Sequence, residues 1–224
     1  MIDYIIELFS KTDMVKGIVE TLYMVGISTI LAYIIGLPLG IAVVITDRDG
    51  IKPNKIINIV LGIIINFFRS IPFIILLVLI IPFTRVIVGT SIGPTAMIVP
   101  LTLASTTFVA RLVETSLRDV DNAVIEQVIC MGARPLQIIF KVYLVEATPA
   151  LIRGLSITCI NLIGYSAMAG AVAGGGLGDI AIRFGYYKYD YLVMIVTVVI
   201  LVFIVQIIQV IFDKIAKRTD KKIL

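Results

Sequence analysis

Residues 121–145 read D-N-A-V-I-E-Q-V-I-C-M-G-A-R-P-L-Q-I-I-F-K-V-Y-L-V and lie between long apolar segments. This stretch is too polar and too interrupted to cross a bilayer as one helix. Gly132 predicts a left-handed cap that ends a first helix, and Pro135 predicts the start of a second helix. We call residues 121–145 the elbow, because two short helices are expected to meet there at a sharp turn.

The first helix of the elbow, from about Asn122 to Met131, is predicted to be amphipathic. One of its faces is apolar and the other is polar. The apolar residues are Val124, Ile125, Val128 and Ile129, and the polar residues are Glu126 and Gln127. Such an elbow at the end of a membrane bundle is either a docking point for another protein or a segment that rests on the lipid surface. Both interpretations stay open at this point.

The composition indicates an all-α polytopic membrane protein that forms a single domain over residues 1–224. The chain is 59% hydrophobic and 15% charged, and its mean hydropathy is +1.09. A helix needs roughly 20 apolar residues to cross about 30 Å of hydrocarbon. Five spans are predicted, at about 18–46, 56–84, 90–113, 148–173 and 190–212. Residues 1–13 are predicted to form a short amphipathic helix on the membrane surface, with an ordered terminus of no special role as the equal alternative.

The basic residues predict an orientation with the N-terminus outside and the C-terminus inside. With that orientation, 13 of the 19 Lys and Arg residues fall on inner segments, as the positive-inside rule requires. The elbow is then cytoplasmic. The net charge of +4 is explained as a topology signal, and because the basic residues are spread over separate loops, no nucleic-acid partner is predicted.

Several kinds of chemistry are excluded by what the sequence lacks. There is no histidine, which removes serine-type triads, histidine-based zinc sites and the usual proton shuttle. No G-x-x-x-x-G-K-[ST] phosphate loop is present, so the chain is not predicted to hydrolyse ATP. Cys130 and Cys159 fall in the elbow and inside a span, and both are expected to be packing residues without a disulfide. No cofactor, metal site or catalytic residue is predicted in this chain.

Two further features interrupt the apolar spans. Arg69 and Pro72 occur inside the second span and predict a structural kink, with a cavity-lining or substrate-facing Arg69 as the alternative. The stretch 169–179 is rich in glycine and is expected to form a tightly packed re-entrant turn rather than a nucleotide loop. Its structural glycines are Gly174, Gly175, Gly176 and Gly178.

The elbow resembles the cytoplasmic motif of bacterial ABC importer permeases. That family's pattern is E-A-A, three residues, G, nine residues, I-x-L-P. Glu126, Gly132 and Leu144 match its spacing, whereas the two alanines, the isoleucine and the proline are replaced here. The stretches R-S-I-P-F-I-I-L-L-V (69–78) and Y-S-A-M-A-G-A-V-A-G-G-G-L-G-D-I-A-I-R-F-G-Y (165–186) resemble the methionine-uptake permeases of this family, and the similarity extends over essentially the whole chain.

This resemblance implies a type I importer permease fold with five transmembrane helices in the bacterial inner membrane. It implies a homodimer that binds two cytoplasmic ATPase subunits, which carry ATP and magnesium, and a substrate-binding lipoprotein on the outer face. The implied substrates are L-methionine and analogues such as the D-isomer. A permease for another small amino acid and a self-contained, ATP-independent carrier or channel remain the alternatives.

The resemblance also assigns roles to particular residues. The elbow helix is expected to sit in a groove of the ATPase, which Val124, Ile125 and Ile129 fill, while Glu126 braces the elbow. The predicted coupling residues are Val124, Ile125, Glu126, Ile129, Gly132 and Ala133.

The fourth span is expected to line the translocation pathway. Its candidate residues are Asn161, Tyr165, Ser166 and Met168, with Met168 plugging a constriction. The alternative is that this face packs a dimer interface through Gly164, Ala167 and Gly170.

Overall fold

The structure, a computed structural model, describes residues 12–219, and within that range every regular element is a helix. The predicted surface helix at 1–13 lies almost wholly outside the described residues. Its last two residues, Thr12 and Asp13, form a turn before the first helix.

Eight helices follow in chain order. They are α1 (Met14–Ile45), α2 (Lys55–Ser70), α3 (Phe73–Val88), α4 (Pro94–Arg118), α5 (Asn122–Cys130), α6 (Pro135–Val172), α7 (Gly176–Ile180) and α8 (Tyr191–Thr219). Helix α6 contains a π-helical turn at Ile139–Tyr143 and ends in a 3₁₀ turn at Gly170–Val172. Helix α7 continues into a π-helical turn at Ala181–Tyr186.

Four of these helices (α1, α4, α6 and α8) are long and apolar enough to cross a membrane, and the pair α2 and α3 makes a fifth span if the two are counted together. The span expected at 56–84 has the kink predicted at Arg69 and Pro72, because the helix breaks at Ile71 and Pro72 and bends by 106° there. Proline lacks an amide donor and disfavours helical backbone in the residue before it. The Pro72 carbonyl oxygen accepts hydrogen bonds from the amides of Ile75 and Leu76, which begins α3.

The fourth span differs from the expectation of a helix at 148–173. Helix α6 starts at Pro135, so the second limb of the elbow and the span form one continuous helix. The π-helical turn accommodates an extra residue at their junction without ending the helix. The elbow is therefore joined directly to a membrane-spanning helix.

The chain divides into two compact units. The first contains the described residues up to Ile30, Ile71–Ala104 and Cys159–Gln209, and the second contains Leu31–Ser70, Ser105–Thr158 and the residues from Val210. Helices α1, α4, α6 and α8 contribute residues to both units. The expectation of one domain over residues 1–224 stays a prediction.

In the second unit, α1 packs against α4 through two glycines spaced four residues apart. A Cβ added to Gly36 would lie 2.8 Å from the Thr106 carbonyl oxygen, and one added to Gly40 would lie 2.6 Å from that of Ala110. Small residues at this spacing let two helix backbones approach closely. The apolar core beside this contact extends to the elbow and includes Val109, Val113, Leu117, Val120, Ile125, Ile138 and Val142.

In the first unit, the end of α6 packs against α7 in the same way. A Cβ on Gly178 would lie 2.5 Å from the backbone of Ala167, and one on Gly170 would lie 2.3 Å from the backbone of Gly178. The apolar core of this unit joins α1, α7 and α8 through Met14, Leu177, Ile180 and Val193.

Candidate functional site

The elbow is a helix, a tight turn and a second helix, each ended by local hydrogen bonds. The Asp121 side chain accepts a hydrogen bond from the Ala123 amide at 2.9 Å and so caps the start of α5. Gly132 has a φ of +80°, which favours glycine. The amides of Gly132 and Ala133 donate to the carbonyl oxygens of Ile129 and Val128, at 2.9 and 3.2 Å. This is the Schellman arrangement, and it confirms the predicted left-handed cap.

The second limb starts as predicted at Pro135, the first residue of α6. The Arg134 amide donates to the Gln137 side-chain oxygen at 2.9 Å, which satisfies a backbone donor at the start of the helix. Local hydrogen bonds therefore satisfy backbone donors at both helix ends of the elbow.

Side-chain burial divides the predicted apolar face of α5 in two. Ile125 is only 6% exposed and packs into the core of the second unit, with Val128 partly buried beside it. Ile125 was expected to fill a partner's groove, and this assignment is wrong for the structure as it stands, because the side chain already lies in the protein's own core. Four apolar side chains of the elbow are exposed, Val124, Ile129, Met131 and Leu136, and we refer to these four residues together as the ridge.

The other predicted coupling residues lie around this ridge. The side chain of Glu126 is exposed and makes no hydrogen bond or ion pair with residues 12–219, so the structure does not show the expected bracing role. Ala133 is partly buried against the core. Cys130 is exposed, which corrects the expectation of a packing residue, whereas Cys159 is buried as expected.

The predicted pathway residues of α6 differ in their exposure and in their contacts. Met168 is 51% exposed, while Ser166 is 2% exposed and donates to the Ile163 carbonyl oxygen at 2.8 Å. Tyr165 stacks on Phe73 with ring centroids 4.5 Å apart. Ser166 is therefore not available to a substrate, because it is buried and already bonded within its own helix.

Helical spacing places Asn161, Gly164 and Met168 on one face of α6. A Cβ added to Gly164 would meet nothing within 4 Å. Of the three residues expected at a dimer interface, only Gly164 has open space beside it. Ala167 and Gly170 already contact Gly178 in the same chain. The pathway role of Asn161 and Met168 stays a prediction.

The glycine-rich stretch forms a tight turn between α6 and α7. Gly175 and Gly176 have φ values of +80° and +74°. Gly174 is required for a different reason. A Cβ at this position would lie 2.7 Å from the Ala169 carbonyl oxygen, so there is no room for a side chain. The turn therefore has the backbone geometry that glycine permits and other residues rarely adopt.

Two residues of α1 anchor this turn, and the sequence did not single them out. The Glu20 carboxylate accepts from the Gly176 amide at 2.8 Å, and the Thr21 hydroxyl accepts from the Leu177 amide at 2.9 Å. A carboxylate on a backbone amide is a strong, charge-assisted bond. Each pair is separated by 156 residues in the chain, so no local pattern marked it.

Arg69 and Pro72 lie at the end of α2 and in the break that follows it. The Ser70 hydroxyl donates to the Asn66 carbonyl oxygen at 2.8 Å and so satisfies one acceptor near the helix end. Arg69 instead lines a cavity of about 390 Å³ with Arg111 and Arg153. This matches the cavity-lining alternative for Arg69, although the two other arginines were not expected there.

An ion-pair network ties the end of α4 to the loop after α1. Glu114 contacts Arg111 at 2.6 Å and Arg118 at 3.1 Å, and Arg118 also contacts Asp47 at 2.7 Å. The pair of Arg111 and Glu114 confirms the predicted same-face contact at a spacing of three residues.

Comparison with known proteins decides the family. The model of the binding-protein-dependent transport system inner membrane component matches residues 32–218. The chain belongs to this family. It is therefore a multi-pass component of a bacterial inner-membrane transport system.

Individual relatives align with nearly the whole length of the permease. It is 49% identical over 203 residues to the probable D-methionine transport system permease protein MetI of Vibrio cholerae, covering 91% of this chain and 90% of that protein. It is 44% identical over 211 residues to the methionine import system permease protein MetP of Bacillus subtilis, covering 94% and 95%.

Solved structures share its fold. A chain of the MetNI methionine ABC transporter in an inward-facing conformation aligns with a TM-score of 0.92 and 47% identity, covering 93% of this chain and 96% of that one. An amino acid ABC transporter with histidines aligns with a TM-score of 0.72 at 19% identity, which shows the fold alone. The permease therefore has the type I importer fold implied by its elbow motif.

Proposed function

We propose that this chain is the permease subunit of an ATP-driven importer that carries methionine, as the L- and the D-isomer, into the cytoplasm. The observation that carries the proposal is the likeness, over nine-tenths of the chain, to methionine permeases of both Vibrio cholerae and Bacillus subtilis. The fold agrees, since the alignment with the MetNI transporter also covers almost the whole of both chains.

The proposed assembly contains two copies of this chain, two cytoplasmic ATPase subunits and a substrate-binding lipoprotein on the outer face. The sequence has no phosphate loop, so the energy for transport comes from the ATPase, which holds ATP and magnesium. The family description itself names a binding protein as part of such systems. The binding protein then selects the substrate, and the permease supplies the gated path.

The ridge on the elbow is the proposed contact with the ATPase. Its apolar side chains are exposed, while Ile125 of the same elbow is held in the core. Glu126 is exposed on the same helix and is free to meet a basic partner.

Movement of the elbow is passed on through α6, because this helix runs without interruption from Pro135 to Val172. When the ATPase subunits close around ATP, the elbow moves with them and the permease switches between inward-open and outward-open states. A tenfold bias between the two states needs about 1.4 kcal/mol of differential binding.

The test uses the double variant Val124→Asp/Ile129→Asp, which charges the ridge and leaves the buried Ile125 untouched. We expect wild-type permease, solubilised in mild detergent from its own cells, to bring down an ATPase with a phosphate loop in equal amounts. The variant should retain a tenth of it or less, because a buried carboxylate without a partner is costly in an apolar groove. Ile92→Asp is the control, since Ile92 is 64% exposed and lies outside the elbow.

The same proteins are then reconstituted in vesicles with the binding protein and tested for uptake of labelled methionine. The proposal expects ATP-dependent uptake by the wild type and by Ile92→Asp, and little by the double variant. Recovery of the permease alone, with methionine flux that needs no ATP, would support a self-contained carrier instead. ATP-dependent uptake of a different amino acid in preference to methionine would support the importer assignment and contradict methionine as the substrate.

A further inference from the structure

The end of α4 is tied to the loop after α1 by one arginine that reaches two carboxylates. Arg118, the last residue of α4, contacts Asp47 at 2.7 Å through the same guanidinium nitrogen that lies 3.1 Å from Glu114. Its Nε donates a further hydrogen bond to Glu114 at 3.2 Å. The fork of N–H donors lets an arginine bridge two acceptors in this way, whereas a lysine is a single point of charge.

Glu114 holds one end of this bridge in place. Its side chain is 7% exposed and also contacts Arg111 at 2.6 Å. A buried carboxylate is tolerated when cations and donors satisfy it, and here two arginines of its own helix do so. The guanidinium of Arg118 is therefore held at a defined position, from which it reaches Asp47.

Asp47 belongs to a loop that folds back onto the end of α1. The Lys52 amide donates to the Ile45 carbonyl oxygen at 2.9 Å. The Asn58 side chain, in the first turn of α2, donates to the Val43 carbonyl oxygen at 2.8 Å. The loop therefore joins α1 and α2 in one corner, and Asp47 is an attachment point on that corner.

The bridge continues the helix contact between α1 and α4. Gly40 packs so closely on α4 that an added Cβ would lie 2.6 Å from the Ala110 carbonyl oxygen. Asp47 and Arg118 meet further along, in the same direction on both segments. Two helices attached at a single point can pivot about it, whereas a second attachment prevents this rotation.

The same end of α4 is packed against the elbow. Leu117 and Val120, on either side of Arg118 and Asp119, belong to one apolar core with Ile125 and Ile138 of the elbow. Displacement of the elbow is therefore passed to this end of α4 as well as to α6.

We propose that the bridge of Asp47, Arg118 and Glu114 is a clamp that makes the corner of α1 and α2 move with α4 when the ATPase displaces the elbow. The inference rests on the proposed function, because it gives these residues a part in coupling ATP hydrolysis to transport. Asp47 and Arg118 are positioning residues that act through the elbow. Without the clamp, the elbow follows the ATPase while α1 lags behind, and ATP is hydrolysed with less transport.

The test compares Asp47→Asn with Asp49→Asn in vesicles that also contain the ATPase and the binding protein. Both variants remove one negative charge from the same loop, but Asp49 is exposed and takes no part in the bridge. The measurement is the number of methionine molecules imported per ATP hydrolysed. We expect this ratio to fall about threefold or more in Asp47→Asn, because an elbow that moves without α1 biases the gate less. Asp49→Asn should keep the wild-type ratio.

Two further variants separate the bridge from its charge. Arg118→Lys keeps the charge but cannot span both carboxylates, so its ratio should fall as in Asp47→Asn. Asp47→Glu keeps the carboxylate and should retain about half or more of the wild-type ratio. Partly exposed ion pairs contribute little to stability, so the midpoint of thermal unfolding should move by about 2 °C or less in all four variants.

The outcomes distinguish the clamp from the proposed function. An unchanged ratio in Asp47→Asn and Arg118→Lys, beside a wild type that couples ATP to uptake, would overturn the clamp alone. The clamp would also be overturned by an equal fall in Asp49→Asn, which would point to the charge of the loop, or by a fall that accompanies a large drop in the unfolding midpoint. A wild type without ATP-dependent uptake would reject the proposed function and the clamp with it.

Discussion

At the scale of single residues, Gly132 shows how a local rule fixes a functional shape. Its φ of +80° is available to glycine at little cost, whereas an L side chain there is strained. No heavy atom lies within 4 Å of the position a Cβ would take. The need for glycine at this position is therefore conformational and owes nothing to crowding.

Gly132→Ala should weaken the elbow by about 1 kcal/mol, the cost of a left-handed conformation for alanine. The amides of Gly132 and Ala133 hold the cap, so their hydrogen exchange should become about fivefold faster. Hydrogen–deuterium exchange of the solubilised permease measures this. Gly62→Ala, in a helical position of α2 with open space around it, should leave the elbow unchanged. Equal exchange rates in Gly132→Ala and the wild type would contradict the conformational argument.

The same residues show where sequence reasoning succeeds and where it stops. The cap at Gly132 and the start at Pro135 were predictable, because both depend on the chemistry of neighbouring residues. The placement of Ile125 was not, since an apolar stripe does not reveal whether its residues meet the protein's own core or a partner. Burial separates Ile125, at 6% exposure, from Ile129, at 47%, although both lie on the predicted face.

At the scale of elements, the turn between α6 and α7 is held by contacts that no local pattern reveals. Glu20 and Thr21 reach it from α1, 156 residues away. The sequence indicated a tightly packed glycine turn but not its anchors. The three arginines at the cavity escaped notice for the same reason, because the helix packing that joins them is non-local. The break at Ile71 and Pro72 was expected as a kink, and its sharpness was not.

Gly178→Ala tests the close packing of α7 on the end of α6. The added methyl group would lie 2.5 Å from the backbone of Ala167, which cannot rotate away as a side chain would. Overpacking of this kind costs about 1–3 kcal/mol, so the midpoint of thermal unfolding of the solubilised permease should fall by several degrees. Gly26→Ala is the control, because nothing lies within 4 Å of its Cβ position. An unchanged midpoint for Gly178→Ala would show that the turn has room to shift.

At the scale of the whole molecule, one end of α8 carries a signal for the membrane interface and the other end a signal for orientation. Exposed tyrosines precede and open the helix, at Tyr187, Tyr189 and Tyr191, and basic residues close it, at Lys217 and Arg218. Tyrosines favour the membrane interface, and Lys and Arg favour the cytoplasmic side. This asymmetry agrees with the proposed orientation, in which the C-terminus and the elbow are cytoplasmic.

The two cysteines provide a direct test of that orientation and of the docking surface. Cys130 is exposed on the elbow and Cys159 is buried, so a membrane-impermeant maleimide should modify Cys130 alone. We expect labelling in inside-out vesicles stripped of peripheral proteins and none in intact spheroplasts, with Cys130→Ser removing the signal and Cys159→Ser retaining it. Adding back purified ATPase should slow labelling severalfold in the wild type, because the ridge lies beside Cys130, but not in Val124→Asp/Ile129→Asp. Labelling from the outer side would reverse the topology and remove the elbow from contact with any cytoplasmic ATPase. Cytoplasmic labelling that the ATPase does not slow would support the orientation but contradict the ridge as the surface that binds the ATPase.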